Sequence, residues 1–489
     1  MLHRILLIII LLSLPCVSNG ESNLENNRLN KRLDDYLSMS VSTGFSGAIL
    51  VAKEGEIIFN QGYGMANKES HILIKPSTIF DIGSVSKQFT AAAILKLVEL
   101  GKLKVSDNLS DFFQNLPKDK KDITIHQLLI HSAGLIDRIG KDDFDHIPTA
   151  LFFEELFATK LLHKPGTQHY YSNSGYSILA RIIELVSGQG YEEFLYQHLF
   201  KPAGMEQTGY LKPLWNEKLF ALGYRYDVIN IGSMAARYKK EGKVSWVLKG
   251  NGGINSTTQD MFKWYMALRT NKVLSKSQTN TFTTPYIAED KDNSSFYSYG
   301  WAIFNSSRKT KLVTHNGSNG IFFHDFIWLP EEDIVIIYST NSLSRQVGAI
   351  AWRIEKMLFD ESYIPPPVEV DFMTTLLRYS LEYSQEVDSM KLDLRERFKN
   401  QLNAAFYLNR LGNLLIEEKR NRKALAVYKL NSEIFPKDGN TWDSLGEGYL
   451  ANNQLDLARA SFKKAIELKT SNNCFWCENA SKRLIQLEK

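Results

Sequence analysis

Residues Asp81–Leu103 read DIGSVSKQFTAAAILKLVELGKL. Ser84 and Lys87 stand three apart where a long apolar helix is expected to begin, and residues at i and i+3 share one helical face. A serine hydroxyl is a weak nucleophile until a base takes its proton. A lysine can be that base if burial or a nearby positive charge lowers its pKa. The run Phe89 to Leu100 is apolar nearly all round, which predicts a buried helix and hence a rigid mount. Gly101 is the expected C-terminal stop. The spacing by itself is common, since it recurs at Ser306–Lys309 and Ser461–Lys464, and a serine at a helix start ordinarily serves as a cap. What singles out Ser84 is the company it keeps further along the chain.

A length of 489 residues predicts two or three domains. With 44% hydrophobic and 23% charged residues the chain can build ordinary globular cores. The net charge of +4 is small, and Lys and Arg are scattered rather than gathered in a stripe, so nucleic acid is not an expected partner. At the N-terminus, Arg4, the apolar run Ile5 to Leu14 and the small residues Ser18 and Gly20 read as a secretory signal peptide over 1–20. The run is short for a membrane span and no later stretch is long and apolar enough, so the mature chain is expected to be secreted or periplasmic without a transmembrane helix. Pro15 before Cys16 argues against lipid modification there. Cys474 and Cys477 are the cysteines that remain, and they read as a local disulfide or as two buried thiols. They have no second ligand pair for zinc, and neither metal nor cofactor is expected.

Leu29, Leu33 and Leu37 recur at helical spacing, and the period then changes. Ser46 to Lys53 and Glu56 to Tyr63 predict two strands joined by Glu54-Gly55. After the Ser84 helix come a charged loop near Pro117, a short helix over Thr124 to His131, and an apolar helix over Ser177 to Ser187 closed by Gly188. The glycines of Gly250 to Asp260 read as tight-turn geometry ahead of a helix over Met261 to Leu268. Tyr299 to Phe304, Leu312 to His315, Ile321 to Leu329 and Asp333 to Ser339 predict consecutive antiparallel strands, with Gly348 to Phe359 as a closing helix. Strands at both ends around a helical middle fit an α+β domain over 21–362 whose terminal strands meet in one sheet.

Pro365-Pro366-Pro367 marks a boundary. Residues 363–403 read as a linker and helices. Beyond them a period of 34 residues pairs Leu411-Gly412 with Leu445-Gly446, Ala424 with Ala458, and Tyr428 with Phe462. This pattern resembles tetratricopeptide repeats, two copies at about 404–437 and 438–471, in a repeat domain over 404–489 with a capping helix after Cys477.

Three short signals fall in order: Ser84-x-x-Lys87, Tyr171-x-Asn173 and His315-x-Gly317. With His131-Ser132-Ala133-Gly134-Leu135, Pro165-Gly166 and Gly252-Gly253 around them, residues 30–360 resemble the penicillin-recognising serine hydrolases. That family spans class C β-lactamases, serine D-Ala-D-Ala carboxypeptidases, D-aminopeptidases and related esterases, and a related motif set is well defined. The resemblance implies a β-lactamase/transpeptidase-like antiparallel sheet flanked by helices with an all-helical domain, here followed by an all-α helical-repeat domain. It implies that Ser84 attacks a carbonyl to form an acyl-enzyme and that Lys87 accepts or relays the proton. Tyr171, as phenolate or hydrogen-bond relay, would share that work, while Asn173 holds Lys87 and the substrate amide. His315, Gly317 and Ser318 would bind substrate, the N–H groups of Ser84 and Ser318 forming the oxyanion hole. His131 reads as a structural hydrogen bonder and Tyr170 as packing.

His315 stands where β-lactamases carry a lysine, a permanent cation, whereas histidine is at most partly charged at neutral pH. The expected function is therefore an extracytoplasmic serine hydrolase acting on a D-amino-acid peptide, an ester or a β-lactam. The alternatives are a scaffold acting through the helical repeats on a protein partner, and a dedicated class C-like β-lactamase. The physiological substrate, a small molecule or peptide, is not fixed by these residues.

Overall fold

The computed structural model describes residues 18–469 and 474–488. The expected signal segment up to Val17, with Cys16, lies outside the described residues. No helix among the described residues is long and apolar enough to cross a membrane. The chain divides into two compact units, one of residues 1–225 and 229–369 and one of residues 226–228 and 370–489.

The first unit is built on an eight-stranded antiparallel sheet. Its strands in chain order are β1 (Gly47–Lys53), β2 (Glu56–Tyr63), β3 (Ile287–Ala288), β4 (Ser295–Tyr297), β5 (Ala302–Asn305), β6 (Lys311–Ser318), β7 (Phe323–Leu329) and β8 (Ile334–Thr340). In space they run β2-β1-β8-β7-β6-β5-β4-β3. The N-terminal hairpin thus closes against the last strand, Gly47 facing Thr340 and Lys53 facing Ile334, as the sequence leads one to expect.

Successive strand residues point to opposite faces, and here both faces are covered. Ala48, Leu50 and Ala52 of β1 enter one core, whereas Ile49 and Val51 enter the other. The second core is closed by Leu33, Tyr36 and Leu37 of α1 (Ser18–Val41) and by Ile350, Ala351 and Ile354 of a helix over Ile350–Phe359. The first and larger core holds α2 (Ser86–Glu99), α3 (Asn173–Ser187) and α4 (Thr258–Arg269). In α2 residues Ser86–Leu95 are buried on every side as expected, whereas the last turn of the run is partly open and Leu100 is exposed; Phe89 packs edge-on against Phe200 and tilted against Trp264.

The entry to α2 differs from the expected one. Ser84 does not cap the α-helix. It lies inside a single 3₁₀ turn, Gly83–Val85, and the α-helix starts at Ser86. Asp81 pairs with Asn255 just upstream, and the Ile82 N–H donates to the Ile254 carbonyl at 2.9 Å. The turn is pressed against the end of β6. A Cβ on Gly83, whose φ is +50°, would lie 2.5 Å from the Ser318 nitrogen, and one on Gly317 would lie 2.0 Å from the Ile82 carbonyl oxygen. Only glycine allows that backbone-to-backbone approach.

The second unit is helical. Pairs over Ala405–Glu417 with Asn421–Ile434 and over Gly439–Ala451 with Leu455–Glu467 are related by an offset of 34 residues at both helix starts. In each, a glycine admits an aromatic ring from its partner: a Cβ on Gly412 would lie 2.2 Å from the Tyr428 ring, and one on Gly446 would lie 2.5 Å from the Phe462 ring. The helices Phe372–Glu382 and Val387–Phe398 pack on the first pair. Cys474, which caps the last helix Phe475–Leu487, forms a disulfide with Cys477 in its first turn.

The Gly317→Ala variant is expected to lose about 2 kcal/mol of stability, since overpacking a closed contact typically costs about 1–3 kcal/mol. A denaturant titration of the full chain checks this, and wild-type stability in that variant would mean that the contact between turn and strand yields freely.

Candidate active site

The 3₁₀ turn presents Ser84 half-buried at the rim of the core, while Lys87 one turn on is fully buried. Their side chains meet, Lys87 Nζ lying 3.1 Å from Ser84 Oγ. The amine also reaches Asn173 Oδ1 at 2.7 Å and the Asn251 backbone carbonyl at 2.6 Å. Its neighbours are otherwise aromatic, with Nζ 4.7 Å from the Tyr171 ring centre and 5.6 Å from that of Tyr176. Burial penalises the ammonium and holds the Lys87 pKa well below its usual value, against a smaller opposing pull from Asp137.

These contacts fix how a neutral Lys87 would sit. An uncharged amine has two hydrogens and one lone pair. Asn173 Oδ1 and the Asn251 carbonyl can only accept, so they take the two hydrogens and leave the lone pair for the Ser84 hydroxyl. Burial raises the Tyr171 pKa well above the usual phenol value, against a smaller lowering by Ser84. Of the two forms open to Tyr171, the protonated phenol is therefore favoured, a relay rather than a base.

Asn173 opens α3, capped by Ser172, whose Oγ accepts from the Gly175 N–H at 3.1 Å. The Asn173 Nδ2 group donates to Asp137 Oδ1 at 2.8 Å. Asp81 bridges the other side of the Ser84 turn, accepting from the Gly83 N–H at 2.6 Å and from Asn319 Nδ2 at 3.2 Å. Its carboxyl is raised to about 7, chiefly by burial.

Ser84, Asn173 and Ser318 open on one cavity of about 240 Å³, together with Asp81, Gly252, Gly253 and the arginines 138, 225 and 237. His315 is not part of that wall. It is buried within β6, where Nδ1 donates to the Asn316 carbonyl at 2.6 Å and Nε2 accepts from the Tyr297 hydroxyl at 3.0 Å. A carbonyl can only accept, so the proton sits on Nδ1. Burial, and then Lys87, push the His315 pKa down to about 3. Gly317 contributes the close approach to Ser84, whose own nitrogen lies 2.6 Å from where a Gly317 Cβ would be. His131 lies against Tyr171, ring centres 4.1 Å apart, and its Nδ1 accepts from the Ser172 N–H at 3.1 Å. Its role in the site is thus a backbone hydrogen bond.

The family model for Beta-lactamase matches residues 34–357. The chain belongs to the Beta-lactamase family. It is 30% identical over 342 residues to the Bacillus subtilis (strain 168) protein described as "Putative penicillin-binding protein PbpX", a match covering 70% of this chain and 82% of that one. Among solved structures it is similar to the penicillin-binding protein of Bacillus halodurans, with 26% identity, a TM-score of 0.57, and 68% of this chain and 99% of that one covered. The structure described as EstCE1, a hydrolase with promiscuous acyltransferase activity, shares the fold at 19% identity and a TM-score of 0.58, over 69% of this chain and 100% of that one. Family membership makes the first unit a β-lactamase-like fold of the serine hydrolase type.

Sequence reading missed two parts of the site. Asn251 acts through its backbone carbonyl, which leaves no trace in side-chain identity. Asp137 lies in a loop whose path could not be derived, although an acidic residue shortly after His131-Ser-Ala-Gly-Leu135 was a signal available to be weighed.

His315 is expected to stay neutral from pH 8 to pH 5, because its pKa lies near 3. Imidazole NMR shifts report this directly, and a titration with a midpoint near the ordinary histidine value of about 6.5 would overturn the placement.

Proposed function

We propose that the chain is an extracytoplasmic serine hydrolase that acts through a Ser84 acyl-enzyme on peptides ending in D-amino acids. The observation that carries it is the buried Lys87 amine, held by two acceptors with its third position on Ser84 Oγ. In that arrangement Ser84 Oγ attacks the substrate carbonyl carbon while its proton passes to Lys87. The N–H groups of Ser84 and Ser318 face the oxygen that gains charge, and losing one such donor typically costs about 3 kcal/mol of barrier. Lys87, with Tyr171 as relay, returns the proton to the departing amine as its bond to the carbonyl breaks. Water then enters by the reverse route and hydrolyses the ester.

Two features narrow the substrate. The cavity wall is polar and carries Arg138, Arg225, Arg237, Asp142 and Asp143, which suits a charged peptide better than an aliphatic ester. The neutral His315 leaves no cation in the third motif, so His315 is assigned a supporting role through Tyr297 and the substrate carboxylate is assigned to the arginines. The same lack of a cation argues against a dedicated β-lactamase. Location outside the cytoplasm is supported by the signal-like N-terminus and by the Cys474–Cys477 disulfide, a bond favoured in oxidising compartments. The 34-residue offset of the helix pairs, with Gly412 and Gly446 each admitting a ring, supports reading the second unit as tetratricopeptide repeats that hold a protein partner.

Intact-mass spectrometry with a reactive penicillin tests the reading. The wild type is expected to gain one adduct and Ser84→Ala none. Lys87→Arg, whose guanidinium cannot give up its proton, should react at least about 100-fold more slowly, the lower range of a general base's contribution. Release of D-Ala from a short peptide ending in D-Ala-D-Ala should likewise need Ser84. Peptide and penicillin both left intact by wild-type protein would sink the proposal.

A further inference from the structure

We propose that Asp137 is a positioning residue: its carboxylate fixes the amide of Asn173 and thereby aims the Lys87 lone pair at Ser84. This rests on the reading of Ser84 as nucleophile and Lys87 as base.

The geometry runs in one direction. A carboxylate can only accept, so the Asn173 group facing Asp137 must be its NH₂, and Nδ2 lies 2.8 Å from Asp137 Oδ1. The Asn173 backbone N–H lies 3.3 Å from the same oxygen, and the Ser174 N–H donates to the Asp137 carbonyl at 2.8 Å. With Nδ2 committed, Oδ1 must face inward, where it accepts from Lys87 at 2.7 Å. A side-chain amide has two orientations of nearly equal shape, and the flipped one would turn a donor toward the amine. Lys87 would then have to direct its lone pair at Asn173, and the Ser84 proton would have no acceptor. Asp137 removes that alternative from a distance of one residue.

Arg138 Nε lies 3.2 Å from Asp137 Oδ2, and its Nη1 lies 2.9 Å from Asp143. The loop that carries Asp137 is thus held in register at the cavity mouth. The charged and titratable groups around Lys87 are Asp137, Arg138 and Asp143 on this loop, Tyr171 and Tyr176 at α3, His131, and His315 on β6. Of these, Asp137 is the first that favours the ammonium. The competing account is that Asp137 merely caps the N-terminus of α3, a common use of aspartate.

The two accounts separate in a pH profile. A base must be neutral to act, so Ser84 acylation rises with pH through the pKa of Lys87. Removing the Asp137 charge removes a force that favours the ammonium, and the midpoint moves to lower pH. We measure the acylation rate by a fluorescent penicillin from pH 5 to pH 10 in full-length wild type, Asp137→Ala, Asp137→Asn and Ser172→Ala. The expected result for Asp137→Ala is a plateau about 100-fold lower, the cost of a misplaced reacting group, with the midpoint about one unit lower. Asp137→Asn should show the same shift with a smaller loss of plateau, because an amide oxygen can still accept from Asn173 Nδ2. Ser172→Ala removes a cap from the same helix and should lower the melting temperature while leaving the midpoint in place.

If Asp137→Ala keeps the wild-type plateau and midpoint, or loses rate with no shift as a plain capping variant would, the role of Asp137 is overturned. If the wild type is acylated no differently from Ser84→Ala, the underlying reading of the site fails and takes this proposal with it.

Discussion

An amine buried without a carboxylate in contact is the constraint from which the rest of the site follows. A charged Lys87 would pay heavily for its place in the core, since desolvating an unpaired ion costs several kcal/mol even after relaxation. The interior answers by making the neutral form the comfortable one. Two carbonyl-type oxygens take its hydrogens and aromatic faces line its sides. A neutral lysine with a directed lone pair can act as a base, so the proposed chemistry would be a by-product of how the core accommodates a polar group. The same reasoning covers its neighbours. Tyr171 keeps its proton and His315 is held neutral with a single ring proton, both chiefly through burial.

Such a site has to be enclosed, yet a substrate must reach Ser84. The fold meets both demands by placing Ser84 on the seam between the sheet and the helical layer. Gly83 and Gly317 bring the 3₁₀ turn and the end of β6 to backbone contact, which leaves the Ser84 and Ser318 nitrogens side by side at the cavity. Ser86 ties the turn from beneath, its Oγ donating to the Gly83 carbonyl at 2.7 Å and accepting from the Ile254 N–H at 3.1 Å. Thr90 donates to the Gly250 carbonyl at 2.6 Å one helical turn further in. The glycine-rich segment over 250–253 therefore does more than turn a corner. It supplies the carbonyl that Lys87 needs and the backbone against which α2 is seated.

What could be read from the chain divides along physical lines. Strand alternation, the all-round apolar run of α2 and the order Ser84–Lys87, Tyr171–Asn173, His315–Gly317 are properties of side-chain identity and spacing, so the sheet, the buried helix and the convergence of Ser84, Lys87, Tyr171 and Asn173 were legible. Boundaries shifted where tertiary bonds outrank propensity. Residues 298–301 turn between two strands instead of extending one, because the Ser298 N–H donates to the Trp301 carbonyl at 2.7 Å. Ser84 could not be placed in a 3₁₀ turn, since nothing in its own identity distinguishes that turn from the start of an α-helix. Nor does the Asn251 carbonyl have a sequence signature. The side chain that does, Asn251 Nδ2, is spent on Ser177 Oγ and the Val247 carbonyl at 2.9 and 2.8 Å. The uncharged state of His315 is likewise a product of burial and of Tyr297, neither visible in a motif of three residues.

That uncharged state changes how the cavity would discriminate between substrates. A cation within the third motif would act at close range on the strand where the scissile carbonyl docks. Here the positive charges lie on Arg138, Arg225 and Arg237 around the cavity wall, interleaved with Asp142 and Asp143. Interleaved charges of both signs produce weak fields at a distance, and salt at physiological strength screens them within about 8 Å. Long-range steering is therefore a minor term, and selection rests on contacts made after entry. An arginine fork rewards a planar carboxylate in a defined orientation more than it rewards charge alone. On the proposed reading, charges placed around the wall and not within the third motif would select for a substrate that reaches both the wall and Ser84.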